Sequence, residues 1–165
     1  MNLSPSQVTD DNLFSHLRRC IKDNKLNPGF LELEVTEGVL VDDYSVAEKL
    51  LSKVRMIGMS VSVDDFGTGY SSLSYLKKLP LDFLKIDRSF IKEIVTDDND
   101  KAIVRAVIAM AHNLNLCVTA EGVETKEQLM FLVNNSCNSV QGYMLSRPIK
   151  FDHFITLLNE QKAIS

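Results

Sequence analysis

The sequence predicts an α/β domain in which short parallel strands alternate with helices. Short runs rich in β-branched and aromatic residues alternate with longer segments of helical period along the 165 residues. Repeated strand-then-helix units imply parallel strands joined by right-handed crossovers. The chain therefore forms either a closed (β/α) barrel or an open, doubly wound sheet.

Five strands can be assigned from the residue pattern. They are residues 30–35, 60–64, 83–86, 116–120 and, with a weaker pattern, 139–144. Cys117 lies in the apolar run of the fourth strand, and we expect it to be buried.

Helical periodicity fills the intervals between the strands. Apolar residues at helical spacing predict one helix at Leu13, Leu17 and Ile21 and others at 46–57, 71–78, 103–114 and 151–158. Gly58 ends the helix at 46–57, and Pro80 ends the helix at 71–78. A further helix begins after Thr125, which we expect to be its N-cap. We expect residues 159–165 to form a flexible tail.

Composition and charge exclude several classes of protein. The hydrophobic content of 45% is enough for one packed core, and the net charge of −4 argues against a protein that coats a DNA or RNA polymer. No apolar run approaches the ~20 residues that cross a bilayer. The N-terminal residues do not resemble a signal peptide. We expect a cytoplasmic protein with no membrane span in this chain.

Nearly every predicted strand ends on a charged or amide side chain. These residues are Glu34 and Glu37, Asp64 and Asp65, Lys85 and Asp87, Glu121 and Glu124, and Gln141. Polar groups that converge at the carboxyl ends of several strands are typical of the active site of a TIM-like barrel. No glycine-rich phosphate fingerprint follows the first strand, which disfavours the dinucleotide-binding sheet. A barrel typically has about 250 residues and eight strands, so either the sheet is open or the chain lacks the beginning of a barrel.

Several carboxylates at one barrel mouth repel each other unless cations lie between them. Hard oxygen ligands of this kind suit Mg²⁺ or Mn²⁺. There are enough acids for two ions roughly 3.5–4 Å apart, the arrangement that clamps the attacking and leaving oxygens in phosphodiester hydrolysis. Lys85 would then orient the attacking water or neutralise charge on the phosphoryl oxygens.

Each of these residues also has a purely structural interpretation. A strand-end acid is often the N-cap of the next helix, and Lys85 could be a buried ion-pair partner. Adjacent residues on a strand point to opposite faces of the sheet, so one of Asp64 and Asp65 could have no role beyond supporting the loop that follows. Glu124 could be a surface charge at a helix N-terminus. The recurrence of acids at successive strand ends favours the functional interpretation.

Several long motifs occur in the order known from one protein family. They are Leu-Glu-Val-Thr-Glu at 33–37, Asp-Asp-Phe-Gly-Thr-Gly-Tyr-Ser-Ser-Leu at 64–73, Leu-Lys-Ile-Asp-Arg-Ser-Phe at 84–90, Ala-Glu-Gly-Val-Glu-Thr at 120–125, Gln-Gly-Tyr at 141–143 and Ser-Arg-Pro at 146–148. Together they resemble the EAL domain family, bacterial phosphodiesterases of cyclic di-GMP. The resemblance covers essentially the whole chain.

This resemblance implies a TIM-like barrel with one antiparallel strand. It also implies two Mg²⁺ or Mn²⁺ ions and hydrolysis of cyclic di-GMP to linear pGpG in bacterial second-messenger signalling. The implied metal ligands are Asn2, Glu34 and Asp64, with Asp65 on the second ion. Lys85 would position the attacking water, and Glu121 would act on the metal or general-base side.

The remaining implied site residues support substrate and metal. Glu37 would anchor the loop 65–73, which in the family governs metal binding and dimerisation. Asp87, Glu124 and Gln141 would be supporting polar residues. The implied partners are cyclic di-GMP and a second copy of the chain.

The sequence departs from the family pattern in two places. Gly38 stands where the family usually places Ser. The Glu-Ala-Leu motif and a phosphate-binding arginine lie, in the family, upstream of the segment that resembles Asn2-Leu3-Ser4. We therefore expect residues 1–165 to be a single partial domain that lacks about the first three strands, with little or no turnover in isolation.

Two other functions stay open. The chain could be a non-catalytic module that binds the nucleotide or a protein partner, or a fragment completed by a missing barrel segment or by exchange between copies. Intact acids at Glu34, Asp64, Asp65 and Glu121, with Lys85, favour descent from an active enzyme.

Overall fold

The architecture is known from a computed structural model that describes residues 1–38, 44–67 and 76–162, with only the backbone described for 160–162. Its strands are β1 Asn2–Leu3, β2 Glu32–Thr36, β3 Ser60–Phe66, β4 Phe83–Ile86, β5 Cys117–Glu121 and β6 Ser139–Gln141. Its helices are α1 Pro5–Val8, α2 Leu13–Asp23, α3 Tyr44–Met56, α4 Arg88–Lys92, α5 Asp98–Asn113, α6 Lys126–Asn134 and α7 Phe151–Lys162, with a short 3₁₀ turn at Pro28–Phe30.

The strands form one parallel sheet in the order of the chain, β1-β2-β3-β4-β5-β6. Each strand pairs with the next one along the sequence, so the connections are repeated crossovers in a single direction. The prediction of a parallel α/β sheet is confirmed.

The two faces of the sheet differ in chemistry. One face carries apolar side chains that are at most 1% exposed: Leu33, Val35, Val61, Val63, Leu84, Ile86, Val118 and Ala120. Helix α3 contacts β3, α4 contacts β5, and α5 contacts both β4 and β5, and the buried residues of these helices belong to the same core as the apolar face.

The opposite face carries Glu34, Ser62, Asp64, Lys85, Thr119 and Glu121, as the period-two alternation and the register require. A doubly wound sheet is covered by helices on both faces and needs apolar residues on both. The polar second face therefore favours the wall of a barrel whose interior carries the site.

Several boundaries differ from the sequence-based prediction. The described residues hold six strands where five were predicted, because β1 has only two residues and gives no periodic signal. The 3₁₀ turn delays β2 to Glu32, and β6 ends at Gln141. Helices α1 and α4 were not predicted, since four and five residues are too few to show a helical period.

Three further expectations have different outcomes. The expected burial of Cys117 was wrong: the side chain is exposed because it lies on the polar face, in register with Phe83. Most of the predicted helix 71–78 lies outside the described residues. The backbone of 159–162 is helical, as the end of α7. Residues 163–165 are not described, so flexibility of the tail stays a prediction.

Polar side chains fix where the site-bearing helices begin. Thr125 is the N-cap of α6, as predicted, and accepts a hydrogen bond from the backbone N–H of Gln128. Asp87 is the N-cap of α4 and accepts from the backbone N–H of Ser89 at 3.0 Å.

Among the helices that the structure describes, none combines the length and apolar character needed to cross a bilayer.

Candidate functional site

Four neighbouring strands bring charged side chains together around Lys85 of β4. The Lys85 Nζ lies 2.6 Å from Glu121 Oε1, 3.1 Å from Glu34 Oε2 and 3.3 Å from Asp64 Oδ1. These acids come from β5, β2 and β3, so three separate strands converge on one ammonium group. The predicted meeting of strand-end residues is present at Glu34, Asp64, Lys85 and Glu121.

Lys85 is buried, with 7% of its surface exposed. Burial alone lowers its pKa, but hydrogen bonds to Glu121 and Glu34 and the charges of Glu121 and Asp64 outweigh it and raise the pKa above its ordinary value. With these contacts Lys85 is a cation at neutral pH, which suits charge neutralisation or orientation.

The two adjacent aspartates have different surroundings. The register between β3 and β4 shifts between Val63 and Phe66, and Asp65 has a positive φ of 53°. This irregularity leaves Asp64 in contact with Lys85, while the Asp65 side chain is exposed. Partial loss of hydration, and then the charges of Asp64 and Asp87, raise the pKa of Asp65 against the opposing effect of Lys85.

Asn2 lies beside the acids at the edge of the sheet. Its Cα is the register partner of Glu34 on the neighbouring strand, and its side chain is exposed. The terminal amine of Met1 lies 4.0 Å from Glu34 Oε1. Asn2 therefore lies on the strand next to Glu34.

Glu37 is buried just beyond the end of β2. Its Oε2 accepts a hydrogen bond of 3.2 Å from the backbone N–H of Gly67. Gly67 has a φ of 100°, and a Cβ there would lie 2.8 Å from the ring of Phe90. Glu37 thus bonds to the first part of the predicted loop 65–73, and residues 68–73 of that loop lie outside the described part of the chain.

Asp87, predicted as a supporting polar residue, lies beyond the end of β4 as the N-cap of α4. Burial raises its pKa, but hydrogen bonds from the Ser89 side chain and from the backbone of Ser89 and Arg88 outweigh this effect and lower it. Its carboxylate is committed to Ser89 and does not contact Lys85 through any described ion pair.

Glu124 and Gln141 are not among the described ion-pair or hydrogen-bond partners of Lys85. The Gln141 Cα is the register partner of Glu121. A cavity of about 210 Å³ beside them is lined by Glu121, Glu124 and Gln141 together with Arg88 and Tyr143. Their place beside this cavity suits contact with a ligand more than bonding to the Lys85 cluster.

Ser62 lies on the polar face, two residues before Asp64. It is fully buried, and its Oγ has no hydrogen-bond partner in the part of the chain that the structure describes. A buried hydroxyl without a partner costs about 1–3 kcal/mol.

We expect Ser62→Ala to raise the free energy of unfolding by about 1 kcal/mol. The replacement removes an unpaired polar group and changes the volume little. Urea unfolding measures the effect. A loss of more than about 1 kcal/mol would show that Ser62 Oγ has a partner in solution.

The EAL domain family model matches residues 1–148. The chain belongs to the EAL domain family. It is 49% identical over 149 residues to the cyclic di-GMP phosphodiesterase NbdA of Pseudomonas aeruginosa. The alignment covers 90% of this chain and 19% of NbdA.

Solved structures agree with this EAL assignment. The MucR phosphodiesterase in complex with c-di-GMP has a TM-score of 0.88 at 44% identity, covering 93% of this chain and 62% of that one. The manganese and c-di-GMP complex of Klebsiella pneumoniae BlrP1 has a TM-score of 0.82 at 32% identity, covering 90% of this chain and 38% of that one. The fold is a partial EAL-type TIM-like barrel, and the chain spans about a fifth of the length of the curated relative NbdA.

The donor set of this EAL domain fits a divalent cation by its chemistry. Glu34, Asp64 and Glu121 already converge on one cationic group, and carboxylate oxygens are what Mg²⁺ and Mn²⁺ prefer. No group of three or more acid, histidine or cysteine side chains among the described residues has the arrangement of a metal site. The Lys85 ammonium instead makes the cationic contacts of these acids.

Sequence reasoning missed two polar residues of this EAL domain. Arg88 lines the cavity beside Glu121, and its only signal is its place directly after the Lys85–Asp87 segment. Gln128 is 5% exposed and fully hydrogen-bonded. Its signal is the pattern Thr-x-x-Gln at 125–128, which predicts a helix cap but no contact with another strand-end segment.

Proposed function

We propose that this EAL domain hydrolyses cyclic di-GMP to linear pGpG with two Mg²⁺ or Mn²⁺ ions. The observation that carries the proposal is the convergence of Glu34, Asp64 and Glu121 on Lys85 at the carboxyl ends of the strands. The names of NbdA and of the MucR structure support the substrate and the reaction. The manganese complex of BlrP1 supports the metal.

The metal ligands of this proposal are Glu34 and Asp64, with the Asn2 amide beside them and Asp65 toward the second ion. Bound ions would activate water and neutralise the phosphate oxygens. Asp64 and Asp65 can serve different ions because the strand irregularity separates their side chains.

Lys85 and Glu121 are the catalytic residues of the proposal. The water oxygen bonds to phosphorus, and the bond from phosphorus to the 3′ oxygen breaks, which leaves the 5′-phosphate of pGpG. Lys85 remains charged and stabilises the negative charge on the phosphoryl oxygens. Glu121 Oε1, held 2.6 Å from Lys85 Nζ, takes the proton that the water loses. The leaving 3′ oxygen takes up a proton from solvent and becomes the free hydroxyl of pGpG.

The supporting residues shape the rim of the site. Glu37 holds the beginning of the loop 65–73 through Gly67. Glu124 and Gln141 would contact the nucleotide beside the cavity that Tyr143 lines, and Asp87 fixes the start of α4. The proposal includes formation of a homodimer and a cytoplasmic location.

The function is tested by the turnover of a chimeric protein, called the graft below. In this graft the rest of the barrel does not have to come from residues 1–165. Residues 1–148 replace the matching segment of the MucR phosphodiesterase, and chromatography measures pGpG formed from cyclic di-GMP. We expect turnover with Mn²⁺ that a chelator abolishes, and a loss of about 100-fold or more in Asp64→Asn and Glu121→Gln grafts.

The non-catalytic alternative predicts a different pattern. Tight binding of cyclic di-GMP by the graft, with no pGpG above the level of the Glu121→Gln control, would favour a binding module and contradict the hydrolase. The 165-residue chain in isolation is expected to bind the nucleotide with little or no turnover.

A further inference from the structure

Gln128 is a buried polar residue that none of the roles above uses. It lies in the first turn of α6, and its side chain makes four hydrogen bonds. Its Oε1 accepts from the backbone N–H groups of Glu124 at 2.7 Å and Thr125 at 3.0 Å. Its Nε2 donates to the backbone carbonyls of Ile91 at 3.1 Å and Lys92 at 3.3 Å. The amide is therefore fully used, and in two different directions.

The two ends of this amide have separable functions. The oxygen completes a capping box with Thr125, whose Oγ1 accepts from the Gln128 N–H at 3.2 Å. A glutamate at this position would cap equally well, since Glu and Gln share the capping-box role. Only an amide can also donate to two carbonyls, because an ionised carboxylate is an acceptor alone. The cap therefore does not explain why an amide is present.

The donating end reaches the helix that follows β4, the strand of Lys85. Ile91 and Lys92 belong to α4. This short helix begins at Arg88, directly after its N-cap Asp87, and so follows Lys85 closely in the chain. The accepting end holds the last residues of the loop that starts at Glu121. Gln128 thus joins the segments that follow β4 and β5, the strands that supply the 2.6 Å contact between Lys85 and Glu121.

A second close contact joins the same two segments. Gly122 has a φ of 72°, and a Cβ there would lie 2.5 Å from the Cβ of Arg88. The loop after Glu121 therefore packs on the first turn of α4, while Gln128 bonds to the last turn. Two contacts at opposite ends of α4 fix its orientation relative to the loop.

We propose that Gln128 is a positioning residue that holds Lys85 and Glu121 in register and so sets the affinity of the carboxylate cluster for a divalent cation. The effect on metal affinity rests on the proposed function. The linkage between α4 and the loop after β5 does not rest on the proposed function, because it rests on the four hydrogen bonds of the Gln128 side chain.

Two substitutions in the 165-residue chain separate the bridge from the cap. Gln128→Glu keeps the capping acceptor and removes both donors to Ile91 and Lys92. Thr125→Ala weakens the cap and keeps all four bonds of the Gln128 side chain. Gln128→Met, which is neutral, carries the test if Gln128→Glu does not fold.

The first measurement is amide hydrogen exchange without metal. We expect exchange of the segments 88–94 and 119–125 to be at least about tenfold faster in Gln128→Glu than in wild type. In Thr125→Ala the segment 119–125 is expected to change less than about twofold, although the melting temperature falls. Equal changes in both variants, or none in Gln128→Glu, would overturn the linkage.

The second measurement is Mn²⁺ affinity by electron paramagnetic resonance. Gln128→Glu is expected to bind Mn²⁺ about 10- to 100-fold more weakly, the usual effect of losing a residue that orients metal ligands. The added negative charge alone would strengthen binding, so a loss cannot come from charge. Thr125→Ala should bind within about twofold of wild type, and unchanged affinity in Gln128→Glu would overturn the metal part.

Turnover and amide exchange together separate this proposal from the proposed function. A MucR graft without metal-dependent turnover would contradict the proposed function, while the exchange comparison in the 165-residue chain would still decide whether Gln128 links α4 to the loop after β5.

Discussion

Replacing Lys85 by methionine is expected to destabilise the metal-free domain by about 3 kcal/mol, because it leaves three converging carboxylates without their cation. Methionine retains most of the buried stem, so the loss would come from the charge. Urea unfolding in the presence of a chelator measures it.

Lys92→Met is the matched control for this substitution. The Lys92 side chain is 81% exposed and lies 3.8 Å from Glu93, so its loss should change stability by less than about 0.5 kcal/mol. Equal unfolding midpoints for the two variants would show that Lys85 is not the counter-ion of the cluster.

The same variant should respond to metal more strongly than wild type. With Lys85 absent, a divalent cation supplies the missing positive charge, so saturating Mn²⁺ should recover much of the lost stability. Turnover in the MucR graft should nevertheless fall by about 100-fold or more, because the phosphoryl oxygens lose a fixed cation. A Lys85→Met graft with wild-type turnover would contradict the catalytic role.

Gly142→Ala is expected to cost about 3 kcal/mol or more of folding stability, through overpacking that the backbone must absorb. A Cβ at this position would overlap the backbone oxygen and nitrogen of Val123. That backbone is fixed on both sides: the Val123 N–H donates to the Gln141 carbonyl at 3.1 Å, and the Val123 carbonyl accepts from Met144 at 3.0 Å. No side-chain rotation can relieve the overlap.

Gly38→Ala is the control for this second prediction. A Cβ at Gly38 would meet nothing within 4 Å, so the substitution should be neutral or raise stability by up to about 1 kcal/mol. Thermal and urea unfolding compare the two variants. A Gly142→Ala variant as stable as Gly38→Ala would show that the packing of β6 against the loop after β5 is looser than described.

The central part of the site was predictable because its signal repeats. Glu34, Asp64, Lys85 and Glu121 each lie on a strand, from its middle to its last residue, and the parallel strands are neighbours in one sheet. Periodicity alone therefore placed these side chains together before any contact was known.

The remaining features depend on tertiary contacts that periodicity does not encode. The different surroundings of Asp64 and Asp65 come from a register shift against β4. The exposure of Cys117 comes from its place on the polar face of the sheet. Gln128 has the sequence signature of a local cap, and its bonds to Ile91 and Lys92 arise only when α4 packs beside it.

Anomalous diffraction from crystals of the MucR graft grown with Mn²⁺ and cyclic di-GMP tests the central claim most directly. A manganese peak within coordination distance of Glu34 and Asp64, with the Lys85 ammonium displaced from both carboxylates, is the predicted result. Ordered nucleotide with no manganese at these carboxylates, and Lys85 still bonded to all three acids, would contradict a metal-dependent phosphodiesterase site in this chain.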